Sequence, residues 1–176
     1  MATPEHMQLF EREAVRKHRE RAAADIHAHD FLFAEVADRL TERLEDVTRS
    51  FPLALDLGCH GGEVAKCLGT RGGVETLLQC DPSPKMAAQA GYMAGGVSFA
   101  ADEEFLPVKE ASLDLVLSNL SLHWANDLPG ALVQIRKALK PDGLFLAAMF
   151  GERTLFELRE SLMAAELEIE MGMSPR

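Results

Sequence analysis

From residue 51 onward the chain alternates short apolar runs with helical patterns, and this alternation constrains its fold more than any other feature. The apolar runs predict five strands, at residues 53–57, 75–80, 97–100, 112–119 and 144–150. Helical patterns are found at residues 63–68, 84–90, 128–139 and 154–170. Strands that alternate with helices form βαβ units with right-handed crossovers. Because most runs are almost continuously apolar, helices should cover both faces, and we predict an α/β fold with a doubly wound, mostly parallel sheet.

Residues 1–50 differ from the rest and predict a helical appendage on a main domain of residues 51–176. Helical patterns cover about 5–24 and 30–47, and the second carries an apolar stripe with three- and four-residue steps. The first helix is rich in basic residues, namely Arg12, Arg16, Lys17, Arg19 and Arg21. These residues could contact an acidic partner or lipid head groups, or form a solvated face balanced by neighbouring acids.

Composition excludes several classes of function. The 28 acidic and 18 basic side chains give a net charge of −10, which argues against a nucleic-acid partner bound through its phosphates. No apolar run approaches the roughly 20 residues of a transmembrane helix. Residues 1–13 show neither a secretory-signal pattern nor the acid-poor composition of a transit peptide. We expect a cytoplasmic bacterial protein, or a mitochondrial matrix protein if the chain is a mature eukaryotic form.

The cysteine and histidine patterns predict no metal site. The 3 cysteines form no C-x-x-C pair, which argues against a disulfide framework or a zinc site and favours a reducing compartment. The histidines form no ligand pattern, since His27 and His29 would point in different directions on a helix.

The strongest functional motif is the glycine loop Asp56–Gly62 (DLGCHGG), which joins the first predicted strand to a helix. Glycine lets the backbone approach a ligand closely, and a helix N-terminus offers unpaired N–H groups. The alternative is a tight turn that binds nothing. The strand–turn–helix context favours the ligand-binding interpretation.

Acidic residues follow the second and third predicted strands. Asp81 comes 19 residues after Gly62, where a carboxylate can accept both hydroxyls of a ribose. Its alternative role is a cap, since residues 81–84 (DPSP) also suit a turn. Asp102 and Glu103 follow the third strand, at the edge of the sheet where ligands bind, although they would also suit a solvated loop.

Polar groups also follow the fourth strand, in the segment from Ser118 to Trp124 (SNLSLHW). Asn119 lies at the end of the strand. His123 is a candidate for a direct chemical role, although a single histidine is more often structural. We predict these two residues as candidate catalytic residues.

Taken together and in this order, these motifs resemble class I S-adenosylmethionine-dependent methyltransferases of the type-11 group, over about residues 50–150. The resemblance implies a Rossmann-like fold and S-adenosylmethionine as cofactor. It also implies that Asp81 holds the ribose, that Asp102 binds the adenine amino group beside Glu103, and that Asn119 faces the methyl-transfer site. The methionine end of the cofactor would be lined by Asp56, Gly58 and Gly62, and the cofactor-binding set also includes Cys59 and Pro82.

A closer resemblance covers nearly the whole chain. The chain resembles the mitochondrial complex I assembly factor 5 family and its bacterial relatives at residues 51–59, 101–107, 120–124, 126–129, 149–151 and 154–155, and the N-terminal stretches 10–12 and 19–24 fit the basic leader helix of the same family. That resemblance implies either methyl transfer to a protein or small-molecule acceptor or hydroxylation of an arginine in a respiratory complex I subunit, because fold does not settle reaction. The segment around His123 also resembles malonyl-carrier-protein O-methyltransferases. A non-catalytic binding module is the alternative of a different class.

Two features depart from the family pattern. A glycine usually stands where this chain has His60, whose side chain would narrow the cofactor pocket. Similar enzymes also continue with further strands, so we expect a sheet truncated after strand 5. The apolar fifth strand would then be an exposed edge, which favours a homodimer through edge pairing unless an N-terminal helix covers it.

Overall fold

The computed structural model describes residues 8–170 and contains one five-stranded parallel sheet. Its strands lie in the order β3-β2-β1-β4-β5, so strands are added to one side of β1 first and then to the other, and the strand order reverses between β1 and β4 as in a doubly wound fold. The strands are β1 (Leu53–Leu57), β2 (Thr76–Asp81), β3 (Val97–Ala100), β4 (Leu113–Asn119) and β5 (Leu139–Ala148). The predicted α/β class and all five predicted strands are confirmed.

In the described part of the chain, six α-helices accompany the sheet: α1 (Arg12–Ala22), α2 (Phe31–Glu42), α3 (Glu63–Leu68), α4 (Pro84–Ala94), α5 (Leu128–Ala138) and α6 (Phe156–Glu170). The described part of α1 begins later than predicted, and residues 5–7 of that prediction lie outside the described range. Helix α4 continues through Gly91 instead of ending before it. A Cβ at Gly91 would lie 2.4 Å from Ser98 Oγ, so this glycine lets the helix pack closely on β3.

Apolar side chains form a core on each face of the sheet. Beneath α2 and α3, the first core contains Ala37, Leu40, Leu44, Phe51, Ala54, Leu115 and Leu117. Beneath α5, the second contains Leu55, Leu57, Leu113, Val116 and Ile135. All seven residues of β4 are buried, as expected for a central strand that helices cover on both faces. The boundary that we predict at residue 50 stays a prediction, although α2 packs directly on this sheet.

Strand β5 begins earlier than predicted. Leu139 already pairs with Leu113 and Leu144 pairs with Leu115, so the predicted Lys140–Gly143 turn is a bulge within the strand. Asp142 has a φ of +62° there, a left-handed conformation that Asp adopts more readily than most residues. The bulge shifts the register of β5 relative to β4, so that the apolar part of β5 pairs with the centre of β4.

Within residues 8–170, β5 pairs only with β4 and therefore lies at an edge of the sheet. Its side chains Leu144 and Leu146 pack on the first core, so what is open is the backbone edge rather than an apolar face. Dimerisation through this edge stays a prediction. In the same part of the chain, no helix has the length and apolar character that a membrane span requires.

Candidate functional site

The predicted site residues converge at the carboxyl edge of the sheet, because parallel strands end on the same side. Asp81 and Asn119 are the last residues of β2 and β4, and Gly58 directly follows β1. Asp102 and Glu103 come just after β3. The motifs that the sequence separates by more than 60 positions thus meet around one cleft.

The glycine loop turns tightly against the neighbouring strand. The N–H groups of Gly58 and Cys59 donate to the carbonyl oxygen of Cys80, at 2.8 Å and 2.9 Å. Gly58 has a φ of +76°, and an added Cβ would lie 2.0 Å from Ser121 Oγ. This position therefore requires glycine for both its backbone conformation and its contact. Burial raises the pKa of the Cys59 thiol, so Cys59 contributes backbone rather than a thiolate.

Asp56 lies under this loop, fully buried. Neither of its carboxylate oxygens has a hydrogen-bond partner among the described residues. Burial, with Glu63 and Asp81 nearby, raises the pKa of Asp56 well above its usual value. A buried acid without partners is costly unless it is protonated or meets a donor or a positive charge, so Asp56 marks a place for such a group.

Two arginines of α1 reach into the cleft and pair with its acids. The guanidinium of Arg19 lies 2.8 Å from Asp81 Oδ2 and 3.3 Å from Glu103 Oε1, and it also donates to Ser121 Oγ at 2.9 Å. Only 7% of Arg19 is exposed. The acid that we predict to hold a ribose therefore holds a guanidinium in this structure.

The second arginine extends this arrangement toward β3. Arg12 Nη2 lies 2.7 Å from Asp102 Oδ1 and also contacts the carboxylate of Glu103. Its Nη1 donates to the carbonyl oxygen of Trp124 at 2.9 Å. We call the pairing of Arg12 and Arg19 with these acids the arginine clamp, comprising Arg12, Arg19, Asp81, Asp102 and Glu103. Arg12 and Arg19 are therefore paired with acids of the cleft and do not belong to a solvated helix face, the other expectation from the sequence.

The clamp acts differently on the two buried acids. Burial raises the pKa of Asp81, and Arg19 with the Ser83 amide offsets this only in part. Burial also opposes ionisation of Glu103, but Arg19 and Arg12 outweigh it and hold the pKa of Glu103 below its usual value. Glu103 is therefore the firmly ionised centre of the clamp.

His60 fills space beside the cleft. Its φ is +47°, its ring lies 4.4 Å from that of Phe33 between centroids, and its Nε2 lies 3.0 Å from the carbonyl oxygen of Asn119. Burial lowers the pKa of His60 to about 3, so the ring is neutral and donates this hydrogen bond. Asn119 donates from its amide to the Phe33 carbonyl oxygen at 2.9 Å, and its own Oδ1 has no partner within the described chain.

His123 lies on the outer side of the same edge. Its ring contacts Trp124 and Phe150, with centroids 5.3 Å and 4.8 Å away. Burial lowers the pKa of His123, which keeps the imidazole neutral near pH 7. Its Nδ1 has no hydrogen-bond partner among residues 8–170. A neutral ring with a free nitrogen can accept a proton, but whether it acts in chemistry stays a prediction.

Two cavities lie on either side of α1. One of about 480 Å³ is bounded by Arg12, Arg16, Pro82 and Asp102, among others. The other, about 250 Å³, lies between Arg19, His60, Met86 and Trp124. The larger cavity has the volume of a small-molecule binding site, and the smaller one approaches it. Arg12 of the clamp lines the first cavity, and Arg19 lines the second.

Sequence reasoning missed the clamp, although a signal was present. Arg12 and Arg19 are seven residues apart, which places them on one face of a helix two turns apart. The sequence pattern does not indicate which residues this face of the helix contacts. Ser121 is missed as well, because its role depends on the close approach of Gly58.

The methyltransferase domain family matches residues 55–147, more than half of the chain. The chain belongs to this family. The match runs from β1 to the end of β5 and includes the glycine loop and all three acids of the clamp. S-adenosylmethionine is the cofactor that membership of this methyltransferase family indicates.

Two relatives are similar over most of this methyltransferase chain. The "Arginine-hydroxylase NDUFAF5, mitochondrial" of Danio rerio is 46% identical over 172 residues, which cover 96% of this chain and 53% of the relative. The malonyl-[acyl-carrier protein] O-methyltransferase of Methylovorus sp. is 34% identical and is matched over 86% of this chain and 54% of its own. The chain thus spans about half the length of these relatives.

Among solved structures, an S-adenosylmethionine-dependent methyltransferase from Mesorhizobium loti is 27% identical, with a TM-score of 0.53 over 61% of this chain and 50% of that one. The side chains at this cleft have the chemical groups that S-adenosylmethionine needs for binding. Buried acids at the ends of β2 and β3 can accept hydroxyl and amino hydrogens, and the partnerless Asp56 suits an ammonium group. The fit requires that Arg19 release Asp81 and that Arg12 release Asp102 and Glu103.

Proposed function

We propose that this chain binds S-adenosylmethionine at the carboxyl edge of the sheet and transfers its methyl group to a protein or small-molecule acceptor. The observation that carries this proposal is the convergence of Asp81, Asp102 and Glu103 on one cleft beside the glycine loop, with the partnerless Asp56 behind it. Bound there, the cofactor supplies a methyl group that its sulfonium already activates.

Each residue then has a role in binding. Asp81 accepts hydrogen bonds from the ribose hydroxyls, and Asp102 and Glu103 accept from the amino group of adenine. Pro82 borders the 480 Å³ cavity next to Asp102 and offers an apolar wall to the adenine ring. Asp56 faces the methionine end under Gly58, Cys59 and Gly62. This assignment requires α1 to shift, because its arginines hold the same three acids.

The acceptor reacts near the end of β4. Asn119 has a carboxamide oxygen without a partner there, and His123 has a free Nδ1. Methyl transfer needs orientation and exclusion of water more than acid–base chemistry, so we assign Asn119 to positioning and His123 to accepting the acceptor's proton. The rings of Trp124 and Phe150 pack against His123 on that side.

Binding of S-adenosylhomocysteine measured by calorimetry tests the cofactor site. Asp81→Asn keeps the size of the side chain and removes the charge that accepts the ribose hydroxyls. We expect about ten- to hundredfold weaker binding, the usual value of a hydrogen bond to a charged group. The matched control is Asp46→Asn, an exposed acid remote from the cleft, which should bind like the wild type.

The proposal fails if the wild-type chain binds nothing at about 1 mM ligand, a concentration that detects even weak sites. It also fails if both variants bind equally well. The first result would leave a non-catalytic module as the better interpretation.

Arginine hydroxylation is the second candidate function, and one observation favours it. The cleft holds a buried guanidinium between Asp81, Glu103 and Ser121, which are the groups that recognise an arginine side chain. A relative 46% identical is named an arginine-hydroxylase. Mass spectrometry of an arginine-containing peptide from a complex I subunit separates the two reactions, because one adds a methyl group and the other an oxygen atom. A malonyl-carrier-protein acceptor is assayed in parallel.

A further inference from the structure

A second cluster of polar side chains lies outside the cleft, on the other side of the glycine loop. It consists of His27 in the 3₁₀ turn before α2, Asp30 at the start of α2, and Glu63 at the start of α3. One donor atom from each residue lies within 4.8 Å of the others. Ligands that are each about 2 Å from one ion lie at most about 4 Å apart, so these side chains need only a small movement toward one another to share an ion.

Glu63 is the feature that separates this cluster from an ordinary acidic patch. Only 1% of it is exposed, and neither carboxylate oxygen has a hydrogen-bond partner among the described residues. The space that its carboxylate enters exists because residue 61 is glycine. A Cβ on Gly61 would lie 2.5 Å from Glu63 Oε1 and 3.1 Å from the His27 ring. A buried carboxylate that has no hydrogen-bond partner and lies within 4.8 Å of an imidazole and a second carboxylate points to a missing cation.

The surroundings of His27 also indicate a place for positive charge. Its Nδ1 lies 3.3 Å from Asp30 Oδ2 and 3.2 Å from the ammonium of Lys66. Lys66 is 3.9 Å from Asp30 as well. One ammonium neutralises only part of the charge of two carboxylates. Its side chain is 35% exposed and can therefore turn out to solvent when a stronger cation arrives.

The other ring nitrogen has the partner that a metal-binding histidine needs. His27 Nε2 lies 3.2 Å from the carboxamide nitrogen of Gln89. Rotation of that carboxamide by half a turn presents its oxygen instead, which accepts a hydrogen bond from Nε2–H. Nδ1 is then left free as a ligand, in the orientation that outer hydrogen bonds commonly fix.

We propose that His27, Asp30 and Glu63 bind one divalent first-row transition-metal ion, with Lys66 displaced from the cluster. One imidazole and two carboxylates suit manganese, iron or zinc, and water completes the coordination. The bound ion ties the segment before α2 to the first turn of α3, next to the glycine loop. The site is separate from the proposed cofactor contacts and does not depend on them.

Electron paramagnetic resonance of Mn²⁺ tests the site, because bound and free ions differ in signal and Mn²⁺ prefers oxygen and nitrogen ligands to thiolates. The metal-stripped chain should bind one Mn²⁺. Glu63→Gln and His27→Gln should weaken this binding tenfold or more. His29→Gln is the matched control, since His29 is an exposed histidine two residues away, and it should bind like the wild type.

Lys66→Met gives a test in the opposite direction. It removes the competing ammonium and leaves all three ligands intact, so Mn²⁺ should bind several times more tightly than to the wild type. The proposal is overturned if the wild-type chain binds no Mn²⁺, or if Glu63→Gln and Lys66→Met both bind like the wild type. Neither measurement uses S-adenosylhomocysteine, so a failure here is distinct from a failure of the proposed function.

Discussion

The two N-terminal helices are attached to the same sheet by opposite kinds of interaction. Helix α2 contributes Ala37, Leu40 and, just beyond its end, Leu44 to the first core. Helix α1 buries only one residue of its own length, and that residue is the charged Arg19. Helix α2 is therefore held by apolar burial. Helix α1 is held mainly by ion pairs, and Ala23 and Ile26 just beyond its end add apolar contact, to Met86.

This difference decides which helix can move. Apolar burial cannot be replaced by a small ligand, so α2 belongs to the permanent structure. Ion pairs can be exchanged, because any group that satisfies Asp81 and Asp102 competes directly with Arg19 and Arg12. In the proposed function the cofactor is such a group, and α1 is then a cover whose release is coupled to binding.

The largest expected effect tests how firmly α2 is held. Leu44 is 1% exposed, and Leu44→Ala removes its side chain from the first core. We expect a loss of about 2–5 kcal/mol in the free energy of unfolding, measured with urea. Leu9→Ala is the control, because Leu9 is 83% exposed beside α1 and its truncation should cost almost nothing. Equal losses in the two variants would contradict the division between the helices.

A smaller effect distinguishes the packing of α2 from the arginine clamp, because the two contribute to stability over different pH ranges. His60 packs on Phe33 of α2, and burial lowers the pKa of His60 from 6.5 to about 3. The folded state thus resists protonation, so this contribution to stability is complete above pH 6.5 and is lost as the pH falls toward 3. Glu103 in the clamp has a lowered pKa, and its contribution is complete above 4.5 and lost only below that value.

Urea unfolding between pH 7.5 and 5.5 measures the first of these contributions. We expect the wild-type chain to lose about 1 kcal/mol more stability over that interval than His60→Asn does, since one protonation changes the free energy by about 1.4 kcal/mol per pH unit at most. Asn tolerates the positive φ and does not titrate, so the difference between the two chains isolates His60 from the buried acids. His29→Asn, at an exposed histidine, should show the same pH dependence as the wild type. An equal pH dependence in the wild type and in His60→Asn would contradict the assignment to His60.

The comparison also shows what sequence can predict. The spacing of apolar residues along a segment shows which side chains that segment buries. It therefore predicted the five strands and the apolar stripe of α2, with errors only at their ends. Spacing predicted that Asp81, Asp102 and Asn119 meet at one edge, because parallel strands end together. Pairing between distant charged residues leaves no such periodic signal. Arg19 and Asp81 are 62 positions apart, and nothing local to either residue indicates the other.

The same limit applies to the proposed metal site. His27 and His29 are close in sequence, but the buried acid that shares the proposed site with His27 is Glu63, 36 positions away. The bulge at Lys140–Gly143 was not predicted for a different reason. Its residues have the composition of an ordinary turn, and it belongs to β5 only because Leu139, before it, pairs with Leu113.

The smallest expected effect measures the clamp itself. Arg19→Gln removes the charge that competes for Asp81, so the fraction of chains with an open cleft rises and the apparent affinity rises with it. We expect S-adenosylhomocysteine to bind about three- to tenfold more tightly by calorimetry, a range typical of coupling between an equilibrium and a ligand. Arg21→Gln, an exposed arginine on the same helix that lies outside both the clamp and the 480 Å³ cavity, should bind like the wild type. Weaker binding in Arg19→Gln alone would mean that Arg19 holds the cofactor instead of competing with it, and α1 would then be part of the site rather than its cover.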